Sequence, residues 1–194
     1  DQRNAGASST PSTYTYTIDR WALAASQASK FTVGQNLGSV TTPLGFSNYL
    51  GLSTASAVSI GAGDYFFIRQ DIEGYNAADL GWGTANAKTI TLSFKVYSSL
   101  TGTFGGALAN AAANRFYAFS YTVTTANTWT DVSVVIAGDT SGTWDKTNGA
   151  GIRLDFGLGV GSTYSVTAGS WGATTCYSAT GATSVVGTSG ATFY

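Results

Sequence analysis

Polar and apolar side chains alternate along several stretches of this chain. In the segment Lys88–Ser99, Ile90, Leu92, Phe94 and Val96 fall on one side of an extended backbone, and mainly threonine, serine and lysine fall on the other. A period of two is typical of a β-strand with one buried face. The segment therefore predicts a strand that lies against a hydrophobic core.

Further stretches have strand character and are separated by turns rich in glycine, asparagine and serine. No stretch has a helical period long enough for a crossover helix between parallel strands. The pattern predicts an all-β fold, a single-domain antiparallel β-sandwich of the jelly-roll type. The expected strands are Arg20–Ala25, Phe31–Val33, Ala57–Ile60, Asp64–Gly74, Lys88–Ser99, Gly102–Ala109, Arg115–Thr125, Trp129–Ala137, Gly151–Val160 and Ala191–Tyr194, with loops over 34–53 and one helical turn at Asn76–Leu80.

The chain divides into a short arm and one domain. Residues 1–18 are polar and rich in Gly, Ser and Thr, so we expect an extended N-terminal arm. Residues 19–194 show neither an internal repeat nor a second composition regime, and 194 residues suit a single sandwich. We therefore predict one β-sandwich domain over 19–194.

The amino-acid composition excludes several classes of function. Charged residues make up 10% of the chain and the net charge is −1, which does not fit a nucleic-acid footprint or a basic membrane patch. Without histidine, a Ser–His–Asp triad or a histidine-bound zinc site is impossible, and one cysteine cannot form an internal disulfide. We expect Cys176 to be a buried, inert thiol. The chain is better suited to a scaffold or a binder than to an enzyme.

Outward-facing aromatic and polar side chains are the candidates for ligand binding. Sugars are bound by aromatic platforms together with planar polar groups that hydrogen-bond to hydroxyls. Trp82 and Tyr75, after the strand Asp64–Gly74, are the first candidates, although a tryptophan beside glycines is also common in a core. Strand alternation adds Arg69, Asp71, Tyr97, Arg153 and Asp155 to the ligand-binding set, and also places Tyr65, Tyr117 and Tyr121 outward.

Asp71 and Glu73 form the one pattern that suggests catalysis. They stand two apart in a strand, so both carboxylates project from one face. Glycoside hydrolysis uses such a pair of carboxylates. However, jelly-roll glycosidases carry an additional glutamate upstream of the pair, which is missing here, and the residue directly before Asp71 is Gln70. The simpler interpretation is a polar outer face on which Arg69 and Lys95 balance the two acids.

A Gly-rich loop offers oxygen ligands for a structural calcium ion. Asp139, Thr140, Asp145 and Asn148 cluster there, with Asp139 and Asp145 as the main candidates. The alternative is local turn chemistry, in which these side chains bond to nearby backbone amides. The glycines of 157–161 end a strand without a following helix, so they predict a bulge rather than a dinucleotide loop.

Longer segments resemble a known type of domain. The chain opens with D-Q-R-N-A-G-A-S and continues with T-I-D-R-W (17–21), I-R-Q-D-I-E-G (68–74), T-L-S-F-K-V (91–96), T-A-N-T-W-T-D-V-S-V-V-I-A-G-D-T-S-G-T-W (125–144) and G-A-G-I-R-L-D-F-G-L-G-V-G-S-T-Y (149–164). In this order they resemble domains of phage and prophage tail-fibre and other virion proteins. The resemblance implies a jelly roll that looks like a carbohydrate-binding module.

These considerations give three hypotheses about function. The first is a non-enzymatic domain of a virion tail fibre or appendage that contacts host surface glycans, here bacterial surface polysaccharide. Its partners would be other virion proteins and, by analogy with phage fibres, two further copies in a trimer. The second is a purely structural capsid or appendage decoration domain. The third is a glycan-cleaving hydrolase. No cofactor is expected apart from the structural calcium ion.

Overall fold

The computed structural model describes residues 13–194. They form fourteen strands: β1 Tyr14–Tyr16, β2 Trp21–Ala25, β3 Phe31–Gln35, β4 Leu50–Thr54, β5 Tyr65–Glu73, β6 Ile90–Val96, β7 Gly102–Ala109, β8 Phe116–Val123, β9 Thr130–Ile136, β10 Ala150–Val160, β11 Ser165–Val166, β12 Trp171–Gly172, β13 Ser178–Ala179 and β14 Thr192–Phe193. One short helix, α1, spans Gly74–Ala77, and 3₁₀ turns follow at Ala78–Leu80 and Ser162–Tyr164.

Seven strands form the larger sheet, in the order β1-β2-β5-β10-β7-β8-β12. All its pairs are antiparallel, and β5 with β10 forms its longest ladder. In this ladder Arg153 lies opposite Asp71, and Asp155 lies opposite Arg69. The register shifts between Gly157 and Gly159 confirm the predicted bulge.

The second layer consists of β14-β4-β3 and the antiparallel pair β6-β9. Main-chain bonds join these two parts, because the continuation of β6 at Tyr97 and Ser99 pairs with Tyr194 and Thr192. The core lies between this layer and the larger sheet, and the alternation predicted for β6 is confirmed: Leu92, Phe94 and Val96 pack on it. The all-β sandwich predicted from the pattern is therefore confirmed.

The outer face of the larger sheet carries a second, smaller core. The segment that contains β11 and β13, paired in parallel, lies across it. Cys176 and Ala179 pack there on alanines and Phe116 of β7 and β8. Burial of the thiol is as predicted, and it raises the pKa of Cys176 to about 12.

The predicted outward faces of Tyr117 and Tyr121 are wrong. Both rings are buried in the main core, and it is Phe116 and Ala118 that face the smaller core. Both faces of β8 are covered over residues 116–119, where four buried residues follow one another without a period. In its second half the exposed Ser120 and Thr122 alternate with the buried Tyr121 and Val123, so the pattern there places the tyrosine face inward. The strand expected at Ala57–Ile60 is absent, and β4 lies inside the region predicted as loop.

Two further observations concern the N-terminal arm and possible membrane-spanning segments. Part of the predicted N-terminal arm, residues 1–12, lies outside the described residues, while Tyr14–Tyr16 forms the edge strand β1. Among residues 13–194, no helix is long and apolar enough to cross a membrane.

Candidate functional site

A small polar pocket of about 190 Å³ opens at the end of the larger sheet where β1 and β5 meet the loop before β10. We call it the polar pocket. Its walls are Tyr16, Arg20, Asp71, Glu73 and Asn148, with main chain from 149–150. It brings together an aromatic ring, a guanidinium group, two carboxylates and a carboxamide.

The strand ladder positions the two carboxylates of the pocket. Asp71 and Glu73 are alternate residues of β5, so they project on the same side of it, as predicted. Next to Glu73, Gly74 turns the chain into α1 and donates its N–H to the Gly149 carbonyl at 2.8 Å. A Cβ on Gly74 would lie 2.5 Å from the Asp145 carbonyl oxygen, so the close approach of this loop requires glycine.

Asp145 fixes the loop that carries Asn148. Its Oδ1 accepts hydrogen bonds from the N–H and the Oγ1 of Thr147, at 2.7 and 2.6 Å. These bonds lower the pKa of the Asp145 carboxyl. The N–H of Tyr75 in turn donates to the Thr147 carbonyl at 2.8 Å, which ties the loop to α1.

Charges around the pocket are only partly paired. Arg153 Nε lies 3.9 Å from Asp71 Oδ1 without a hydrogen bond, and both atoms are buried and have no hydrogen-bond partner among the described residues. The pKa of Glu73 is lowered by its own backbone N–H, by Asn76 and by Arg20. The predicted balance of the acids by Arg69 and Lys95 is wrong, since Lys95 pairs with Asp131 across β6 and β9.

Asp155 is not a ligand-facing residue, contrary to the prediction. It is fully buried, and its two oxygens accept bonds from Nε and Nη2 of Arg69 at 2.7 and 2.8 Å. Burial raises the pKa of Asp155 and the bonds from Arg69 oppose that shift. Arg69 is thereby engaged as well, with its guanidinium 5.0 Å from the centre of the Phe67 ring. Both side chains are therefore engaged within the fold and are not available to a ligand.

The expectation that Trp82 faces a ligand is also wrong. Its side chain is 3% exposed, and its Nε1 donates to the Lys88 carbonyl at 2.8 Å. Trp82, Trp144 and Trp171 pack edge to face, with ring centres 4.8–5.3 Å apart. Gly83, at φ +83°, allows this close packing, since a Cβ there would meet the Gly142 carbonyl at 2.6 Å.

The two remaining tyrosines of the predicted set have different positions. Tyr75 is 71% exposed on α1, as expected for a surface ring. Tyr97 is half-buried, stacks on Tyr194 with ring centres 5.4 Å apart and lies beside Trp129. Neither belongs to the walls of the polar pocket.

The residues proposed for calcium do not fit the ion. Asp139 is buried, and Arg115 donates to both of its oxygens at 2.7 Å. Asp145 is engaged by Thr147, which is the turn chemistry given as the alternative. Thr140 is exposed and Asn148 belongs to the polar pocket. Within 13–194, no group of three or more His, Cys, Asp and Glu is placed to hold a metal ion.

Three walls of the pocket were absent from the predicted ligand-binding set: Tyr16, Arg20 and Asn148, of which Asn148 was a candidate only for calcium. The alternation of Tyr14-Thr15-Tyr16-Thr17 was a usable signal, because it places both tyrosines on one side of a strand. For Arg20 the sequence contains no such indication, because this residue lies in a turn. Its own backbone φ angle is +64°, which is unusual for a residue other than glycine.

Comparison of the chain with models of protein families, with curated proteins and with solved structures finds no match in any of the three.

Proposed function

We propose that this chain is a non-enzymatic domain of a virion tail fibre or appendage, and that its polar pocket contacts host surface glycans. The observation that carries the proposal is the grouping of Tyr16, Arg20, Asp71, Glu73 and Asn148 around one open pocket. A ring that stacks on a sugar face, together with planar groups that bond to hydroxyls, is what saccharide recognition requires. The virion setting rests on the sequence resemblance.

The size of this pocket suits a site that binds weakly by itself and acts through many copies. At about 190 Å³ it is smaller than the roughly 300–1,000 Å³ common for small-molecule sites, so it takes the edge of one sugar unit. A repetitive bacterial polysaccharide offers many such units. Several copies of the chain in one appendage, a trimer by analogy, together with other virion proteins, would raise a weak affinity to useful avidity.

The charge state of Glu73 supports binding rather than cleavage. A glycosidase needs one carboxyl that stays protonated as the general acid, and enzymes raise its pKa by burial. Glu73 is half-buried, and its pKa is lowered instead, chiefly by its own backbone N–H. The hydrolase therefore remains the weaker hypothesis for the same two residues.

The test is binding of the purified full chain to an array of bacterial surface polysaccharides, followed by titration of each positive glycan. Tyr16→Ala and Asn148→Ala should each weaken binding roughly tenfold or more, with unchanged circular dichroism. Tyr75→Ala is the matched control, because it removes an exposed tyrosine beside the pocket but outside its walls.

Three results would contradict the proposal. If only Tyr75→Ala lost binding, the glycan would contact α1 and not the polar pocket. A folded chain that binds no glycan would favour the decoration domain. Release of reducing ends that Asp71→Asn abolishes would make the chain a hydrolase.

A further inference from the structure

The loop 145–149 contains the one Asn-Gly sequence of the chain, at Asn148 and Gly149. Attack of a main-chain nitrogen on the side-chain carbonyl carbon of the preceding asparagine closes a succinimide ring. Glycine has no Cβ, so the nitrogen that follows Asn148 is less hindered than any other that an asparagine of this chain can meet. The loop also needs glycine at this position, because a Cβ on Gly149 would lie 2.2 Å from Asp145 Oδ2.

No main-chain bond holds the peptide unit between these two residues, although the units around it are fixed. The carbonyls of Thr147 and Gly149 each accept a bond of 2.8 Å, from the N–H groups of Tyr75 and Gly74. Asn148 is exposed, and within 13–194 its carbonyl and its carboxamide have no hydrogen-bond partner. The side chain of Asn148 therefore has room to turn toward the Gly149 nitrogen.

Thr147 and Asp145 place a proton acceptor at that nitrogen. The Gly149 N–H points at Thr147 Oγ1 over 3.4 Å, longer than the usual range of about 2.7–3.2 Å. Thr147 Oγ1 donates its own proton to Asp145 Oδ1 at 2.6 Å, so its lone pairs are left to accept from Gly149. Because the bonds from Thr147 lower the pKa of the Asp145 carboxyl, the acceptor is ionised at neutral pH.

We propose that Asn148 and Gly149 form a self-modification site, at which Asn148 is converted to aspartate and isoaspartate without another protein. The Gly149 nitrogen attacks Cγ of Asn148, and its proton passes through the Thr147 hydroxyl to Asp145. The proton is returned to the side-chain nitrogen, which leaves as ammonia. One water molecule then opens the succinimide. Opening at Cγ gives aspartate, and opening at the main-chain carbonyl carbon gives isoaspartate.

The other asparagines of the chain do not combine these features, since none of them precedes a glycine. Asn76 is also exposed, but its carboxamide donates to Glu73 Oε2 at 3.1 Å, and Ala77 follows it. Asn110 is buried, and its side chain accepts bonds from the main chain of 114–115. A nearby asparagine such as Asn76 thus serves as an internal control.

The conversion changes a wall of the polar pocket. A carboxamide donates and accepts hydrogen bonds, whereas a carboxylate only accepts them. The new carboxylate joins those of Asp71 and Glu73, so the walls carry three negative charges against the positive charge of Arg20. The consequence for binding rests on the proposed function. A converted chain has lost a donor to sugar hydroxyls and repels acidic polysaccharides, so its binding weakens as the protein ages.

The experiment incubates the purified full chain at neutral pH and follows Asn148 by proteolysis and mass spectrometry. Deamidation raises the mass of the peptide by about one dalton, and fragmentation separates aspartate from isoaspartate. A free peptide with the sequence of 143–153 is incubated in parallel. Thr147→Val is introduced into both, because the hydroxyl is held next to Gly149 only in the folded loop. Circular dichroism checks that the variant chain is folded.

Asn148 of the folded chain should convert at least as fast as in the peptide, while Asn76 stays unchanged over the same time. Thr147→Val should slow the conversion roughly tenfold or more in the folded chain and leave the peptide unaffected. An Asn148 that stays intact in the folded chain while the peptide converts would overturn the site. Equal slowing in chain and peptide, or none in either, would overturn the part assigned to Thr147.

The consequence for the polar pocket has its own readout. Asn148→Asp should bind the polysaccharide of the fresh chain roughly tenfold more weakly, and Asn148→Gln, which keeps the carboxamide, should lose less. Equal affinity of Asn148→Asp and the fresh chain would overturn this consequence. The mass measurement needs no glycan, so failure of the modification site and failure of the proposed function are separate results.

Discussion

At the scale of single residues, Asp64 organises the approach to β5. Its Oδ1 accepts hydrogen bonds from Ser26 at 2.8 Å and Gln27 at 3.2 Å, and its Oδ2 accepts one from the Gly61 N–H at 2.9 Å. The Gly61 bond is the largest cause of a lowered pKa at Asp64. The Asp64 carboxylate therefore joins the residues that follow β2 to the 61–64 turn before β5, and these bonds favour its charged form.

The lowered pKa of Asp64 predicts a pH dependence of stability. The folded state binds a proton at Asp64 less readily than the unfolded state, so this contribution is fully present above the unfolded pKa, near 4. It is lost as the pH falls through the lower folded value. Asp64→Asn should reduce the free energy of unfolding at pH 7, and the difference from the unaltered chain should shrink below about pH 4. Urea unfolding from pH 2 to pH 7 measures it, and parallel curves would contradict it.

Residues that touch distant parts of the chain were the hardest to place from the sequence. The outward position of Asp71 followed from the strand period in the second half of β5, where Arg69, Asp71 and Glu73 share one face. Asp155 obeys the same alternation, yet the segment that contains Cys176 covers its face. Trp82 was misplaced because the partners that bury it lie far away in sequence: Trp144 in the loop before β10 and Trp171 in β12.

At the scale of elements, two glycines let β13 lie directly on the larger sheet. A Cβ on Gly105 of β7 would be 2.5 Å from Ser178 Oγ and 2.7 Å from the Ala179 nitrogen. A Cβ on Gly157 of β10 would be 2.6 Å from the same Oγ. The absence of side chains at these positions sets the distance between the sheet and the segment that covers it.

Gly105→Ala should therefore destabilise the chain by about 1–3 kcal/mol, because the new methyl group forces β13 off the sheet. Slowly exchanging amides of β11 and β13 should become faster in the same variant. Gly172→Ala in β12 is the control, since a Cβ there has nothing within 4 Å. Chemical unfolding and hydrogen exchange measure both variants, and an equal loss in the two would contradict the prediction.

Most long strands stand close to their predicted bounds, with or without a polar face. Polar and apolar residues alternate along β6, whereas β7 matches its predicted range although both of its faces are buried, because turn residues mark its two ends. The strands β11–β13 have two residues each in a Gly-, Ser- and Thr-rich stretch, and so short a segment has no measurable period. For β4, Gly51 and the flanking polar residues hid a buried strand.

At the scale of the whole molecule, one hydrophobic cluster connects both layers. It includes Leu23 and Phe66 of the larger sheet, Phe31 and Leu52 of the second layer, and the buried tryptophans. Side chains from nearly every long strand contribute to it. Such a shared core favours unfolding in a single step, since neither layer keeps its apolar face covered without the other.

This continuity predicts coincident unfolding transitions. Tryptophan fluorescence, which includes the cluster of Trp82, Trp144 and Trp171, and far-ultraviolet circular dichroism, which reports the strands, should give the same urea midpoint. Two separated midpoints would instead mean that the layers unfold independently. The measurement also tests the single domain predicted over residues 19–194.

The edge strands β3 and β9 of the second layer also bear on how the protein behaves in concentrated solution, because among the described residues each pairs with a strand on one side only. Unpaired strand edges are templates on which a second molecule can add its own strand, and natural proteins usually protect them with charge. Here the net charge is −1 and charged residues are sparse, so electrostatic repulsion between molecules is weak. Edge-to-edge contacts between molecules should therefore become more frequent as the protein concentration rises, and a charged side chain at the exposed Val135 of β9 would oppose them.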